Sequence, residues 1–595
     1  MIESALPLGV LPLLAWLAPR LDGAPPVPFD AAREAITLVP ERSLAVLDLG
    51  GLRPVLEQGL EHPLVRELLA TQLAAERLGD ARRRAAEGLA FLDGFLGRPA
   101  LPALSMLASR GALLAIAVDG ARPEFSLILS GDDARELRST LETLFDRVEE
   151  HLGAPGALDR PAKRVRGAEV WQLGELFLAC RDALLVASND EGFLRDVLDL
   201  AADPAAQGVL GRAEFAAAFE ARPEASAVFG WVDLEGLRQL DGGNLARLAS
   251  LPRVPEGQFL LGEELCALAA SRSLAAWVEI EEPGLSLGLA GAGTPPVLPR
   301  EPDASRPPGL SIRPEDVLSG VVRRDFAALL RERASLFAPE AQPGLAQAIS
   351  NLSLFFGGKD VAEEILPDVS PWIRVVSRPV AFEGRAPEMP LPALALVAEL
   401  RDPERTGAEF VGAFQSLIGL MNVDRAQQAR AGMRLRLSLE NGVEITSAHF
   451  APPRPEDGVD LRYNLEPACA VVPACARERG TLVLGTHVDL VRSLVRELQA
   501  ESEGAGSPSR DGGGEALELA GAPLARMIER NFEALVQKKS LDEGLALSEA
   551  EKEIEGLRLL LASLERARIE IERSGPERVE LRASLRLATS KGRTR

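Results

Sequence analysis

Histidines, cysteines and a surplus of carboxylates are the groups that could do chemistry in this chain. The histidines are His62, His151, His449 and His487, and none falls in an HExxH or HxH pattern, so no zinc-hydrolase signature is present. His62 precedes Pro63, and His151 ends an amphipathic stretch, where a cation complements the carbonyl end of a helix. His487 follows Thr486 at an expected helix start. It reads either as a proton donor at a strand end or as a surface residue beside a helix cap. The cysteines are Cys180, Cys266, Cys469 and Cys475, without a CxxC or a Cys/His group at zinc spacing, so no structural metal is implied. Cys469 and Cys475 flank five residues. That spacing suits a short loop disulfide in an oxidising compartment, or two buried free thiols in or beside a strand.

Other catalytic patterns are missing. The chain has no GxSxG elbow, no SxxK with its partner motifs, no GxxxxGK[ST] loop and no GxGxxG between strand and helix. Glu279, Glu281 and Glu282, and again Glu570 and Glu572, crowd on expected strands, where alternation describes a solvated outer face as well as an acid pair. No DxDxDG calcium loop occurs. Trp171 and Trp277, both on expected strands, are the aromatic candidates for an exposed binding platform, with core or sheet-edge packing as the alternative. No cofactor is implied.

The charge balance narrows the partners. Lys and Arg total 66 against 88 Asp and Glu, a formal charge of −22. A surface this acidic repels nucleic-acid backbones and anionic bilayers. Hydrophobic residues make up 46%, enough for packed cores. Residues 5–18 (ALPLGVLPLLAWLA) form an apolar run, short for a membrane span but suited to a signal-peptide core. No Lys or Arg precedes it, and cleavage after Ala18 or Ala24 would leave a proline next. Residues 1–24 are therefore expected to be a signal-peptide-like leader, with an uncleaved anchor or an ordinary buried helix as alternatives. No later segment is long and apolar enough to span a bilayer. The expected location is periplasmic or secreted, with the cytoplasm as the alternative.

The elements that must position these groups repeat. Residues 36–292 and 312–588 present one succession of strand and helix signals across a Pro-rich linker at 293–311. Pro40-Glu41 with Leu44 and Leu47 recurs as Pro314-Glu315 with Leu318 and Val321. Residues 124–130 read as a strand before an amphipathic helix on Leu137, Leu141, Leu144, Val148 and Leu152. Residues 393–400 are the matching strand, before a helix capped by Asp402, with Pro403 at its first position and Phe410, Phe414, Leu417 and Met421 as its stripe. Residues 164–170 match the hairpin around Asn441-Gly442. Residues 183–188 and 481–486 are buried strands ending at Ser188 and Thr486, each read as a helix cap. Leu524, Met527, Ile528, Leu535 and Val536 mark one helix, and Ser548 with Glu551 a capping box for the next. Closing strand pairs follow Trp277 and Ile569. Residues 451–458 and 501–515 read as loops. The expected class is α+β, in two tandem related units, each an antiparallel sheet backed by amphipathic helices.

The Pro-Glu-x-x-Leu opening, the strand-hydroxyl-helix step at Ser188 and Thr486 and the closing hairpins resemble a large family of exported bacterial proteins classified only as a domain of unknown function. The resemblance implies an envelope location and this repeated layout, and it transfers no active-site residue. The expected function is non-catalytic, a binding or structural role in the bacterial envelope. The partner is an unidentified protein or a small amphiphile. A carrier of an amphiphilic or lipid-like ligand, held between sheet and helices, is the second reading. A hydrolase with an acidic site is the third.

Overall fold

The computed structural model describes residues 35–49, 107–152, 163–240, 255–293, 313–450, 471–502 and 515–587, apart from short breaks, and a few positions between 83 and 99. The leader at 1–24, the loop at 451–458, Cys469, His62 and most of the linker at 293–311 lie outside the described residues, as do residues 503–514 of the second loop. The fold is α+β, and its named strands pair antiparallel. It divides into two compact bodies. One draws on residues 1–250, 267–295 and 573–584, the other on 251–266, 296–572 and 585–595.

The strands of the first body are β1 (Ala45–Asp48), β2 (Gly111–Asp119), β3 (Arg122–Ser130), β4 (Lys163–Val165), β5 (Ala168–Leu173), β6 (Leu176–Arg181), β7 (Leu184–Ser188), β8 (Ser226–Asp233), β9 (Ser273–Glu281) and β10 (Gly284–Ala292). They lie in the order β4-β5-β6-β7-β3-β2-β1-β8-β9-β10. The second body holds β11 (Leu318–Arg323), β12 (Val369–Arg378), β13 (Ala393–Leu400), β14 (Met433–Glu440), β15 (Val443–Phe450), β16 (Ala474–Glu478), β17 (Thr481–Gly485), β18 (Glu515–Ala520) and β19 (Leu564–Arg573). Their order is β14-β15-β16-β17-β13-β12-β11-β18-β19. Each strand of the second body thus takes the place of the strand ten labels earlier. The last strand, β20 (Arg578–Leu587), pairs with β10.

The turns repeat as well. Arg166-Gly167 joins β4 to β5 with φ of 51° and 83°, and Asn441-Gly442 joins β14 to β15 with 48° and 81°. Two successive residues with positive φ make a type I′ turn, whose twist matches that of the strands it joins. Backbone bonding refines the expected alignment by one residue. Leu44 donates to Ile116 and accepts from Asp233, and Val317 likewise donates to Ser377 and accepts from Ala520. Leu44 and Val317 thus make the same pattern of backbone bonds in their bodies, one residue away from the expected match with Leu318. The adjacent pair Val317-Leu318 offered two apolar choices, and the turn before the strand decides between them.

The helix caps differ from expectation. The Ser188 hydroxyl donates to the Phe125 carbonyl at 2.8 Å, and Asp190 caps helix Glu191–Ala202 by accepting from Phe193 N–H at 2.7 Å. Thr486 Oγ1 accepts from Leu394 N–H at 2.9 Å, as Asn189 Oδ1 accepts from Phe125 N–H at 2.8 Å. Both side chains brace the neighbouring strand instead of capping. Asp402 caps helix Pro403–Gln427 as read, and Phe410 and Phe414 of the expected stripe pack on the core, but the buried positions are Thr406, Gly407, Ala413, Ile418 and Arg425, while Leu417 and Met421 are exposed. The helix expected over 524–536 breaks at Asn531 into Gly521–Arg530 and Phe532–Glu543. The Asn531 amide donates to the Met527 and Pro390 carbonyls, which competes with helix continuation. The next helix, Leu547–Ser563, starts one residue before Ser548. There Glu549, not Glu551, reaches back to the Ala546 N–H at 3.3 Å.

The first body's core holds Phe193, Phe215, Phe219, Phe229 and Trp231, all essentially inaccessible. The second packs Ala395, Val397, Ile445, Val483, Leu490, Val491 and Leu494 between sheet and helix Val488–Ser502.

Candidate functional site

A cavity of about 220 Å³ opens in the second body. One wall is the chain leaving β12, with Pro379, Val380 and Phe382, and another is the Pro390-Leu391-Pro392 run entering β13. The third is helix Gly521–Arg530, which presents Pro523, Arg526, Met527 and Arg530 at helical spacing. Gly521 lets this helix lie close, because a Cβ there would stand 2.1 Å from the Leu564 carbonyl oxygen. Ile528 then packs with Val536, Ala550 and Ile554. Glu315 completes the rim.

The lining is apolar with a cationic edge. Arg526 and Arg530 are exposed, one turn apart, and neither guanidinium makes an ion pair within the described residues. Glu315 already faces Arg313 at 3.7 Å. Two guanidiniums over Val380, Phe382, Leu391 and Met527 can take a carboxylate or phosphate whose tail lies on the apolar wall.

A buried ion cluster holds this rim. Arg378 Nε donates to Asp316 at 2.6 Å and Nη1 to Glu497 at 2.9 Å and Ser493 at 3.1 Å. Arg313 reaches Glu497 at 2.9 Å, and its N–H donates to Asp316 at 2.9 Å. Burial pulls the Arg378 guanidinium down, but hydrogen bonds to Asp316 and Glu497 win and hold it above its ordinary value. Arg378 and Asp316 adjoin Pro379 and Glu315 in the chain, so the cluster fixes two sides of the cavity.

Of the residues singled out from sequence, one lies near this place. His487 is 5% exposed and meets the Phe382 ring edge-on, with centroids 5.6 Å apart. Its Nδ1 accepts the Asp489 N–H at 3.2 Å and lies 3.7 Å from the Asp489 carboxylate, itself held by Arg492. The imidazole caps helix Val488–Ser502 from behind the cavity wall rather than sitting on the surface. His449 bonds Ser447 at 2.9 Å through Nε2. Trp171 and Trp277 belong to the first body and are buried, not platforms. Trp171 packs on Phe145 at 4.9 Å. Trp277 Nε1 donates to Glu279 at 3.1 Å. Glu279 is 3% exposed and takes both oxygens to Arg582 at 2.9 and 2.8 Å, so the acidic strand face read as solvated is covered at this position. Among the described residues, no group of three or more His, Cys, Asp or Glu is placed to hold a metal ion, and no helix is long and apolar enough to cross a membrane.

Cys475 is a buried free thiol on β16, and Cys180 and Cys266 are also free. Burial pushes the Cys475 thiol up to about 12 and, with Glu264 and Glu263, the Cys266 thiol up to about 11. A raised native value means stability is complete below the unfolded thiol's ordinary range and falls as pH climbs toward the native one, by about 1.4 kcal/mol per pH unit for each thiol. Cys475 is expected to react with a thiol reagent at least ~10-fold slower in the native protein than after unfolding. Equal rates would refute this.

Arg526, Arg530 and Phe382 were not singled out from the sequence. The available signal was the spacing of Pro523, Arg526, Met527 and Arg530, which shares one helix with the apolar stripe. Comparison of the chain with family models, with curated proteins and with solved structures finds no match.

Proposed function

We propose that this chain is a non-catalytic binding protein of the bacterial envelope, made of two related bodies, and that it carries an anionic amphiphile in the cavity beneath helix Gly521–Arg530. The observation that carries the reading is the pair of guanidiniums, Arg526 and Arg530, without an ion-pair partner among the described residues and set over an apolar wall. In such a pocket the tail gains from apolar burial and the head from charge-assisted hydrogen bonds. His487 and the Arg378 cluster give the wall rigid backing, and a wall held in place lowers the ordering cost of binding. The relatedness of the bodies is supported by the shared strand order and the shared type I′ turns. The envelope location is supported by the apolar run at residues 5–18.

Octanoate and octyl phosphate are suitable probes, and calorimetry on the full chain is the assay. Saturable binding of at least one is expected, weakened at least ~100-fold by Arg526→Glu together with Arg530→Glu, because charge-assisted hydrogen bonds contribute about 1.5–3 kcal/mol each. Phosphate-only binding would specify the head group. Absence of binding by both probes, or unchanged affinity in the double variant, would sink the proposal. Fractionation of the native organism tests the location, and recovery in the cytosol alone would remove it.

A further inference from the structure

The edge of the second body carries an apolar strand whose sequence is complementary to itself when run antiparallel. Among the described residues, β14 pairs with β15 alone. Its turn, Asn441-Gly442, is of type I′, and in such a hairpin the flanking residues, Glu440 and Val443, exchange hydrogen bonds. Even-numbered residues of β14 therefore turn their backbone groups to β15, and odd-numbered residues turn theirs outward. At one end the outward groups are satisfied: the Asn422 side chain accepts from Met433 N–H at 2.6 Å and donates to its carbonyl at 2.8 Å. The next outward positions are Leu435, Leu437 and Leu439, whose side chains are 46%, 62% and 74% exposed on the face that Met433 shares with Ile418. Soluble proteins rarely leave a long apolar edge open, because it is a template for another strand.

We propose that β14 pairs antiparallel with β14 of a second copy of this chain, about a twofold axis through Leu437. The strand's own sequence selects this occupant. With the axis at Leu437, Leu437 meets Leu437, Leu435 meets Leu439, and Arg434 meets Glu440 from both sides, joining Arg492 and Arg496 of the same chain, which face that carboxylate at 3.4 and 3.5 Å. Opposed apolar and opposite-charge pairs across strands are each favourable. An axis at Arg436 would set that guanidinium against its own copy, and one at Ser438 would place Leu435 against the turn residue Asn441. An isologous contact of this kind closes as a dimer and leaves no edge to propagate.

The experiment uses the full chain. Light scattering across a concentration series should give twice the single-chain mass, and Leu437→Lys should weaken association at least ~10-fold. Leu541→Lys, at a position 83% exposed on helix Phe532–Glu543, should leave it unchanged. Leu437→Cys gives an independent reading. Directly opposed residues of a hydrogen-bonded antiparallel pair lie about 5.5 Å apart, within disulfide reach, so mild oxidation should link two chains in this variant and not in the unsubstituted protein. A single-chain mass at every concentration overturns the proposal. So does a dimer indifferent to Leu437→Lys, or a folded Leu437→Cys variant that does not cross-link.

Discussion

Replacing Arg378 by methionine is expected to cost about 3–5 kcal/mol of stability, among the largest effects open to a single substitution here. The guanidinium is 6% exposed and is shared by Asp316 and Glu497, themselves buried. Methionine fills much of the volume but leaves two carboxylates in a low-dielectric setting with fewer donors. The remaining donors are the Arg313 guanidinium, at 2.9 Å from Glu497, the Ser493 hydroxyl, also at 2.9 Å from Glu497, and the Arg313 N–H, at 2.9 Å from Asp316, so the loss falls short of that for a naked charge. Urea unfolding measures it as a lowered midpoint at unchanged slope. Adding Glu497→Gln and Asp316→Asn to Arg378→Met should recover at least ~1 kcal/mol, because neutral partners no longer need the cation. If Arg378→Met alone costs under ~1 kcal/mol, the cluster is not what secures this rim.

Phe215→Ala is the second large case, at about 3–5 kcal/mol. Phe215 is fully buried and stands at the centre of an aromatic group, 5.2 Å from Trp231, 5.9 Å from Phe219 and 6.1 Å from Phe229. The edge-on contacts with Trp231 and Phe229 place positive ring edges on negative ring faces, a gain beyond area alone. Two guanidiniums seal the group. Arg222 stacks on Phe219 at 3.7 Å and pairs with Asp48 at 2.9 Å, and Arg212 stacks on Trp231 at 4.9 Å. Rings held this way cannot collapse into the space left by alanine, so the cavity persists. Phe215→Leu, which keeps most of the volume, should cost roughly 1–1.5 kcal/mol. The same urea measurement separates the two, and equal costs would show that the site repacks.

Much of this architecture was legible before any coordinates. Alternation and three- or four-residue spacing report which face is covered, so many of the strands and the helices opening at Ala134, Glu191, Pro403, Val488 and Leu547 could be read, whereas helices Ala213–Glu220, Pro255–Ala270 and Gln342–Phe355 and strands β2, β8 and β12 were not. Asn441-Gly442 announced its hairpin because positive φ at two successive residues restricts composition. What failed had a local competitor. Ser188 and Thr486 look like caps, yet a hydroxyl at a strand end can equally brace the neighbouring strand, and Asp190 and His487 took the capping role. Glu279 looked solvated because its partner Arg582 is 303 residues away. The cavity was invisible for the same reason: its walls come from residues near 315, 380, 391 and 526, and no periodicity records their meeting. Leu417 and Met421 were read as buried from spacing alone, but the helix rolls Ala413 and Ile418 inward.

The placement of residues 573–584 in the first body has a consequence for biogenesis. A ribosome delivers β9 and β10 long before it delivers Arg582, so during synthesis Glu279 waits beside Trp277 without the cation that neutralises it. Contacts so distant along the chain close slowly, and a partly assembled sheet remains exposed meanwhile. Completion of the first body thus waits until residues 296–572 of the second have been synthesised.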